Sequence, residues 1–432
     1  MISEKYQIEG ILFVTPFMPA MGGTGVRMRC GQQLEALSKI APVHLVLIDD
    51  RGQTAFDACA PDVRALTTSM RVMAPGRAYT AGWSRFRSSK SRWAALVQLP
   101  GLPTQQAFAP SLQEAGILAK ELKALDADIV FAFHLRAAIW FDGIEAACGR
   151  WLAAKLVDSD DIQWKMLLRT HLGAWRKSTP LGNILRIREI FEMWVAERKA
   201  LMWDALACCS EKDSNELSAR SRRAAVHTIP NTVRIPQQPL PFRNQGSIIN
   251  LVFVGSLGYA PNIDAVAWFY QSIWPRIAET LGDRVRLFLV GREPAPSIQA
   301  LHAPPQIIVT GSVPDVFPFY ESADIVIAPI RFGGGTRIKI IEAWSYARPV
   351  VSTTLGAEGL DMVAGEHALI ADSPITFADA VLALAYDTDL RRRLGAAGYE
   401  LVQRSYCQKT ADAAVAKMLA EVLMRSDSGV RQ

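Results

Sequence analysis

The sequence has no uninterrupted apolar run of about 18 residues, the length a membrane-spanning helix needs, and its opening stretch, Met1 to Gly10, is too polar for a secretory leader. A cytoplasmic protein is expected, with no more than peripheral contact at the inner face of the membrane. Cysteine is scarce and scattered: Cys30, Cys59, Cys148, Cys208, Cys209 and Cys407 include no Cys-x-x-Cys pair. This spacing offers no zinc or redox motif, so reduced, mostly buried thiols are the simpler expectation. The Gly-x-Gly-x-x-Gly fingerprint of nicotinamide and flavin domains is absent after the first strand-like run, GILFVT at 10–15, where GGTG stands instead.

Acidic residues are missing from one long stretch. Between Asp62 and Glu114 there is none, while Arg64, Arg71, Arg77, Arg85, Arg87, Lys90 and Arg92 all occur. A second basic stretch runs from Lys165 through Arg169, Arg176, Lys177 and Arg186 to Arg188. Both are interleaved with Trp83, Phe86, Trp93, Trp164, Leu167, Leu168 and Trp175. One-sided charge mixed with large apolar side chains suits an anionic membrane surface or a phosphorylated substrate. A solvated face with inward-turned aromatics explains the same pattern. No recognition module accompanies the cations, so nucleic acid is not an expected partner.

What is present fits a folded enzyme. With 432 residues, half of them hydrophobic and 21% charged, the chain exceeds what one core supports, and two domains are expected. Short apolar runs alternate with helix-like periods: GILFVT, VHLVLI at 43–48, DIVFAF at 128–133, KLVDS at 155–159, DALACCS at 204–210, INLVFVG at 249–255, RLFLVG at 286–291, QIIVTG at 306–311 and DIVIAPI at 324–330. That alternation predicts an α/β fold with parallel sheets covered on both faces. The proline-rich, aperiodic segment 231–246 reads as a link, giving domains at 1–235 and 236–400, with a C-terminal helix and tail at 401–432 expected to pack across the junction instead of staying with either domain.

The densest cluster of chemistry is PIRFGGGTRIKIIEAWSYARPVVSTTLGAEGL, from Pro329 to Leu360. It begins at the carboxyl end of a strand, where open α/β sheets bind ligands. Gly333, Gly334 and Gly335 let the backbone turn closely, and Thr336 is placed to start a helix through Ile338, Ile341 and Trp344. Arg337 and Lys339 add charge where free amides and the helix dipole already favour an anion. Glu342 follows as an acceptor for sugar hydroxyls. In the first domain Gly22, Gly23 and Gly25 follow a strand, and His134 sits just past DIVFAF. The Asp158-Ser159-Asp160-Asp161 run could hold a divalent cation, but two cations and helix amides lessen the need for a metal, and a role in shaping an acceptor site is the better reading.

At these positions the sequence resembles the large retaining glycosyltransferase group called family 4 (glycosyl transferases group 1), bacterial envelope or exopolysaccharide type. The likeness is strongest over LVFVGSLGYAPNIDAVAWF, LFLVG, VTGSVPDVFPFYESADIVIAPI and GGGTRIKIIEAWSYARPVVSTTLGAEGL, and weaker over MPAMGGTG, VDSDD, ALMWDALACCSEKDSNEL and HTIPNTV. It implies the GT-B fold, two Rossmann-like domains facing each other across a cleft. It also implies transfer of a sugar from a nucleoside diphosphate sugar to a hydroxyl of a glycan or polyprenyl-linked acceptor, with retention, no permanently bound cofactor and no required metal. Carried over residue by residue, Glu342 matches the glutamate that holds the ribose. Arg337 and Lys339 look like a replacement, from the neighbouring loop, for the family's catalytic cations at the diphosphate, with Gly334, Gly335 and Thr336 around them. His134 matches the histidine near the transferred sugar, and Gly22 and Gly23 the loop that meets phosphate and acceptor.

Two departures stand out. The first glutamate of the family's Glu-x7-Glu pair falls at Gly334, and no cation occupies 256–264, where an arginine and a lysine are usual. Two other readings therefore stay open: an epimerase or phosphorylase of the same fold, and a non-catalytic subunit that binds nucleotide sugar or acts as a scaffold.

Overall fold

A strand buried on both faces of a parallel sheet must be apolar at every position, and β1 (Ile11–Thr15), ILFVT, has all five residues buried. The structure, a computed structural model, describes residues 8–76, 108–149, 154–174, 180–241 and 248–427. Trp83, Phe86, Trp93 and the cations Arg77, Arg85, Arg87, Lys90 and Arg92 lie outside the described residues, as do Trp175, Arg176 and Lys177.

The chain forms two units, one of Met1–Ile229 with Ala411–Gln432, the other of Pro230–Thr410. In the first, β1, β2 (Val43–Ile48), β3 (Ser69–Met73), β4 (Ile129–Phe133), β5 (Ala154–Asp158), β6 (Ala205–Cys208) and β7 (Ala225–Thr228) make one sheet in the order β3-β2-β1-β4-β5-β6-β7. All its pairings are parallel. Side chains alternate between two cores. Leu12 and Val14 pack with Trp140, Phe141 and Ile144 of one helical layer. Ile11 and Phe13 pack with Leu34 and Leu37 of α1 (Gly25–Ser38) on the other face. That second core also takes Ala411, Val415, Met418, Leu419 and Val422 from the C-terminal helix Gln408–Asp427.

Among the helices that bear on the site, α2 (Leu135–Cys148) follows β4, α3 (Gln163–Ala174) follows β5, and α4 (Pro180–Ala200) comes next. Of the cations in the second basic stretch, Lys165 pairs with Glu216, and Arg188 pairs with Glu192 at 2.9 Å. Ile184, Ile187 and Phe191 stay exposed on α4, at 53%, 51% and 60%. No described helix is long and apolar enough to cross a membrane.

The second unit repeats the plan with six strands: β8 (Ile249–Val254), β9 (Val285–Val290), β10 (Ile307–Gly311), β11 (Ile325–Ala328), β12 (Val350–Ser352) and β13 (Leu369–Ile370), ordered β10-β9-β8-β11-β12-β13, all parallel. The helical pattern expected from Ile263 to Leu281 is interrupted. A helix α5 (Ala260–Trp268) passes through a wide π turn at Phe269–Ile273 before a new helix begins at Trp274. Pro275 explains the break, because it has no amide to donate to the preceding turn.

Helix α6 (Ile338–Ser345) lies behind the sheet with Ile340, Ile341 and Trp344 in the core. The Trp344 indole donates to the His367 carbonyl at 3.0 Å. A Cβ at Gly398, on the neighbouring helix Thr388–Ser405, would come within 2.2 Å of that ring, so the glycine lets the two helices close up. This packing fixes the axis along which α6 points its first turn.

Candidate functional site

In both sheets the strand order reverses at one place, between β1 and β4 and between β8 and β11. Loops leaving the carboxyl ends of such neighbours diverge to opposite faces and leave a crevice. The candidate residues lie in these four loops and in the helices that follow them.

In the second unit the β11 loop carries Gly333 at φ +117 and Gly335 at φ +70, conformations that glycine adopts without strain. The sequence predicts that Thr336 starts the following helix. Instead the Thr336 hydroxyl accepts from the Asn231 amide at 2.6 Å, and α6 starts at Ile338 with Arg337 as its cap residue. No side chain among the described residues caps the first turn. The Arg337 guanidinium folds back on the glycine turn and donates to the carbonyls of Gly334 and, at 3.0 Å, Gly335.

Lys339 points across to the β8 loop. Its Nζ donates to Asn262 Oδ1 at 2.9 Å and stands 3.9 Å from the centre of the Phe253 ring. A Cβ at Gly255 would sit 2.9 Å from that Nζ, so the ammonium occupies space left open by a glycine at the end of β8. Gly291 in turn lets β9 press close: at φ +153, a Cβ there would fall 1.7 Å from the Gly255 carbonyl oxygen. No carboxylate among the described residues lies within ion-pairing distance of Lys339. Burial, reinforced by the neighbouring Arg337 charge, brings its ammonium down to about 7.

Glu342, one turn further along α6, accepts a hydrogen bond from the Tyr320 hydroxyl at 3.0 Å. Burial pushes this carboxyl up to about 7, against the pull of Tyr320 and Lys339. Burial thus disfavours the charged form of both groups, and a dianion arriving beside Lys339 would favour its ammonium form.

In the first unit, Gly22 and Gly23 lie exposed in the β1 loop, with Gly23 at φ +100. His134 caps α2 from the end of β4, beside that loop: its ring meets Phe17 edge-on at 5.2 Å. Its backbone is held at φ +74 while its amide donates to the Asp158 carbonyl at 2.6 Å. A non-glycine residue in that region is strained and marks a place worth testing for function. The ring Nδ1 accepts from the Arg136 amide at 3.3 Å, which leaves Nε2 to carry the proton and donate to Gln163 Oε1 at 3.0 Å. Gln163 is oriented by its own donations to Ser159 O at 3.0 Å and Asp161 Oδ1 at 2.8 Å. Burial, with Arg136 adding to it, lowers His134 to about 3, so the ring is neutral.

Asp158 is committed elsewhere. It is fully buried and paired with Arg29 at 2.9 Å, while Arg29 also donates to the Ile229 carbonyl at 2.7 Å. Among the described residues no group of three or more His, Cys, Asp and Glu side chains is placed to hold a metal. The glycine turn with Arg337, Lys339 and Glu342 is thus one cluster in the second unit, and Gly22, Gly23 and His134 another in the first. Sequence reasoning did not single out Asn262, Tyr320, Gln163 or Arg29, although the first two stand inside the stretches that carry the family likeness.

Residues 249–387 match the family model described as Glycosyl transferases group 1, which spans β8, the cation-bearing loop and α6. Over these residues the chain is similar to that family. A 169-residue stretch is 24% identical to an uncharacterized 44.6 kDa protein in the cps region of Klebsiella pneumoniae, covering 37% of this chain and 43% of that relative's length. Sucrose-phosphate synthase of Thermosynechococcus elongatus superposes with a TM-score of 0.64 at 14% identity, over 98% of this chain and 100% of that one. HepE of Anabaena, solved in complex with UDP-glucose, superposes at 0.58 with 14% identity, over 95% and 99%. At such identities the likeness is one of fold. Two Rossmann-like units, the second containing the residues that match the family model, are the GT-B architecture that the sequence predicts.

Proposed function

We propose that the protein transfers a sugar from a nucleoside diphosphate sugar to a hydroxyl of a glycan or lipid-linked acceptor. The observation that carries this reading is the Lys339 ammonium, half-buried beside the start of α6 without a carboxylate partner among the described residues. Such an ammonium is poorly solvated until an anion reaches it. A diphosphate supplies that anion, and the first turn of α6 with Arg337 supports it. The family match over 249–387 and the fold shared with HepE, whose complex contains UDP-glucose, support the same class of donor.

In this mechanism the bond between the anomeric carbon and the diphosphate oxygen breaks, and the leaving group takes the electron pair. The acceptor oxygen forms the new bond to that carbon, and its proton passes to the departing phosphate oxygen on the same face, which retains configuration. Charge on the diphosphate grows toward the transition state, so Arg337 and Lys339 hold it more tightly there than in the ground state. Glu342 accepts hydrogen bonds from the ribose. His134, neutral and with both ring nitrogens engaged, shapes the sugar's surroundings rather than moving a proton. No metal has a role in this scheme.

The test is a panel of nucleotide sugars offered with polyprenyl-linked glycans and membrane extract. Nucleoside diphosphate release that requires acceptor supports transfer. An isomerised sugar nucleotide without acceptor indicates an epimerase, and tight binding without turnover a silent subunit.

A lipid-linked acceptor would bring the first unit to an anionic membrane. Exposed Ile184, Ile187 and Phe191 on α4, together with the basic stretches, support that contact. The protein is expected to sediment with anionic liposomes at low salt and to be released as salt rises. Reversing Arg85, Arg87, Lys90 and Arg92 to glutamate should weaken retention without altering nucleotide affinity. Retention by neither anionic nor neutral liposomes at low salt would overturn the membrane contact and favour a soluble acceptor.

A further inference from the structure

A lysine side chain is long and mobile, and holding its ammonium at one point costs rotamer freedom unless something else in the fold already fixes it. Here two groups from the β8 side do so. The Asn262 amide nitrogen donates to the Ser256 carbonyl at 2.8 Å, which sets the amide's orientation and turns its oxygen toward Lys339 Nζ, 2.9 Å away. The Phe253 ring lies 3.9 Å from the same Nζ, where its face attracts a cation. Gly255 completes the arrangement, since a Cβ there would press within 2.9 Å of both the Asn262 amide nitrogen and the Lys339 ammonium.

The chemistry of the holding group matters as much as its position. An amide oxygen accepts one N–H of the ammonium and leaves the full positive charge available. A carboxylate in the same place would form an ion pair and compete with any incoming anion. The charged groups around Lys339 are Arg337 at the cap of α6 and Glu342 on α6, the latter held by Tyr320 from the helix Phe317–Ser322. The β8 side contributes Asn262, Gly255 and Phe253, none of which ionises.

We propose that Asn262 is a positioning residue, which holds the Lys339 ammonium beside the start of α6 without neutralising it, so that a diphosphate meets a cation already in place. The inference rests on the diphosphate site proposed above. It assigns a purpose to the uncharged β8 loop, in which the family's usual arginine and lysine are missing: the loop orients a cation delivered from β11.

Calorimetric titration of the full chain with inorganic pyrophosphate, and separately with UDP, from pH 6 to 9 tests this. Pyrophosphate carries the shared chemistry and no base or ribose. Asn262→Ala is expected to weaken pyrophosphate at least fivefold at pH 6.5. It should also move the alkaline loss of affinity to lower pH, because the charged ammonium has lost an acceptor. Asn262→Asp keeps the side chain's shape and should weaken pyrophosphate as well, yet move the alkaline limb to higher pH, because the carboxylate holds the proton on Lys339. A merely structural role would not shift the two limbs in opposite directions. If Asn262→Ala does not fold, as judged by circular dichroism, the near-isosteric aspartate variant decides alone. Affinities within twofold of the parent and an unmoved limb, with Lys339→Ala still abolishing binding, would overturn the positioning role and leave the diphosphate site standing. Unchanged binding in Lys339→Ala would overturn both.

Discussion

Replacing Glu342 with glutamine removes one titrating proton while keeping the side chain's shape and an oxygen for the Tyr320 hydroxyl. In the folded protein burial pushes this carboxyl from 4.5 up to about 7. Between those values the folded state keeps a proton that the unfolded chain has released, so this group's contribution to stability falls as pH rises through the window and levels off above it. One pKa unit corresponds to about 1.4 kcal/mol. The shift thus sets a ceiling of roughly 3 kcal/mol, which water reaching a partly open site reduces to about a third of that. Other buried acids, among them Asp158, Asp160 and Glu197, titrate in both proteins and largely cancel in the difference. Urea unfolding followed by tryptophan fluorescence at half-unit steps from pH 4.5 to 8 reads that difference directly. The glutamine variant is expected to gain about 1–3 kcal/mol on the parent across the window, with most of the gain between pH 5 and 7. A difference that stays constant with pH would refute the assignment of a neutral-range carboxyl to this position.

Arg337→Ala and Lys339→Ala should each lower turnover at least tenfold in a folded protein, a loss of about 1.4 kcal/mol of transition-state stabilisation; rates within twofold of the parent for both would remove the proposed diphosphate site. Glu342→Ala is expected to weaken UDP about tenfold and pyrophosphate by less than twofold in calorimetry, since only the nucleotide has a ribose; equal losses would count against the ribose contact. Gly291→Ala, which sets a methyl against the Gly255 carbonyl, should destabilise the protein by roughly 2–4 kcal/mol and weaken pyrophosphate as the β8 end shifts; an unchanged melting temperature would contradict the close approach.

The central strands were legible because each is a continuous apolar run, and β1, β4, β8 and β11 fall within the segments expected. The strands that were missed have no such run. β3 is an edge strand, SMRVM, half-exposed and crossed by Arg71, so it reads as part of a basic stretch. β12 and β13 have only three and two residues. The same logic divides the site. Gly333 through Glu342 could be read because its glycines, cations and helix start are local in sequence. Asn262 meets Lys339 across 77 positions and Gln163 meets His134 across 29, through contacts that only parallel strand order creates. Uncharged amides also carry no signal of their own when a sequence is searched for titrating groups. Thr336 shows the limit of a local rule: a good helix-capping residue was diverted by Asn231, a partner 105 positions away.

The helix Gln408–Asp427 makes the two units unequal in how they answer a broken reading frame. Pro230–Thr410 is one unbroken piece of chain, whereas the core around Ile11 and Phe13 is closed by Ala411, Val415, Met418, Leu419 and Val422. A premature stop shortly after Thr410 would therefore spare the unit nearest to it in sequence. It would strip five buried side chains from the first unit, which until this helix has been translated must wait with part of that side of its sheet uncovered. The cluster of Arg337, Lys339 and Glu342 would survive such a lesion, and the half of the molecule carrying His134 would not.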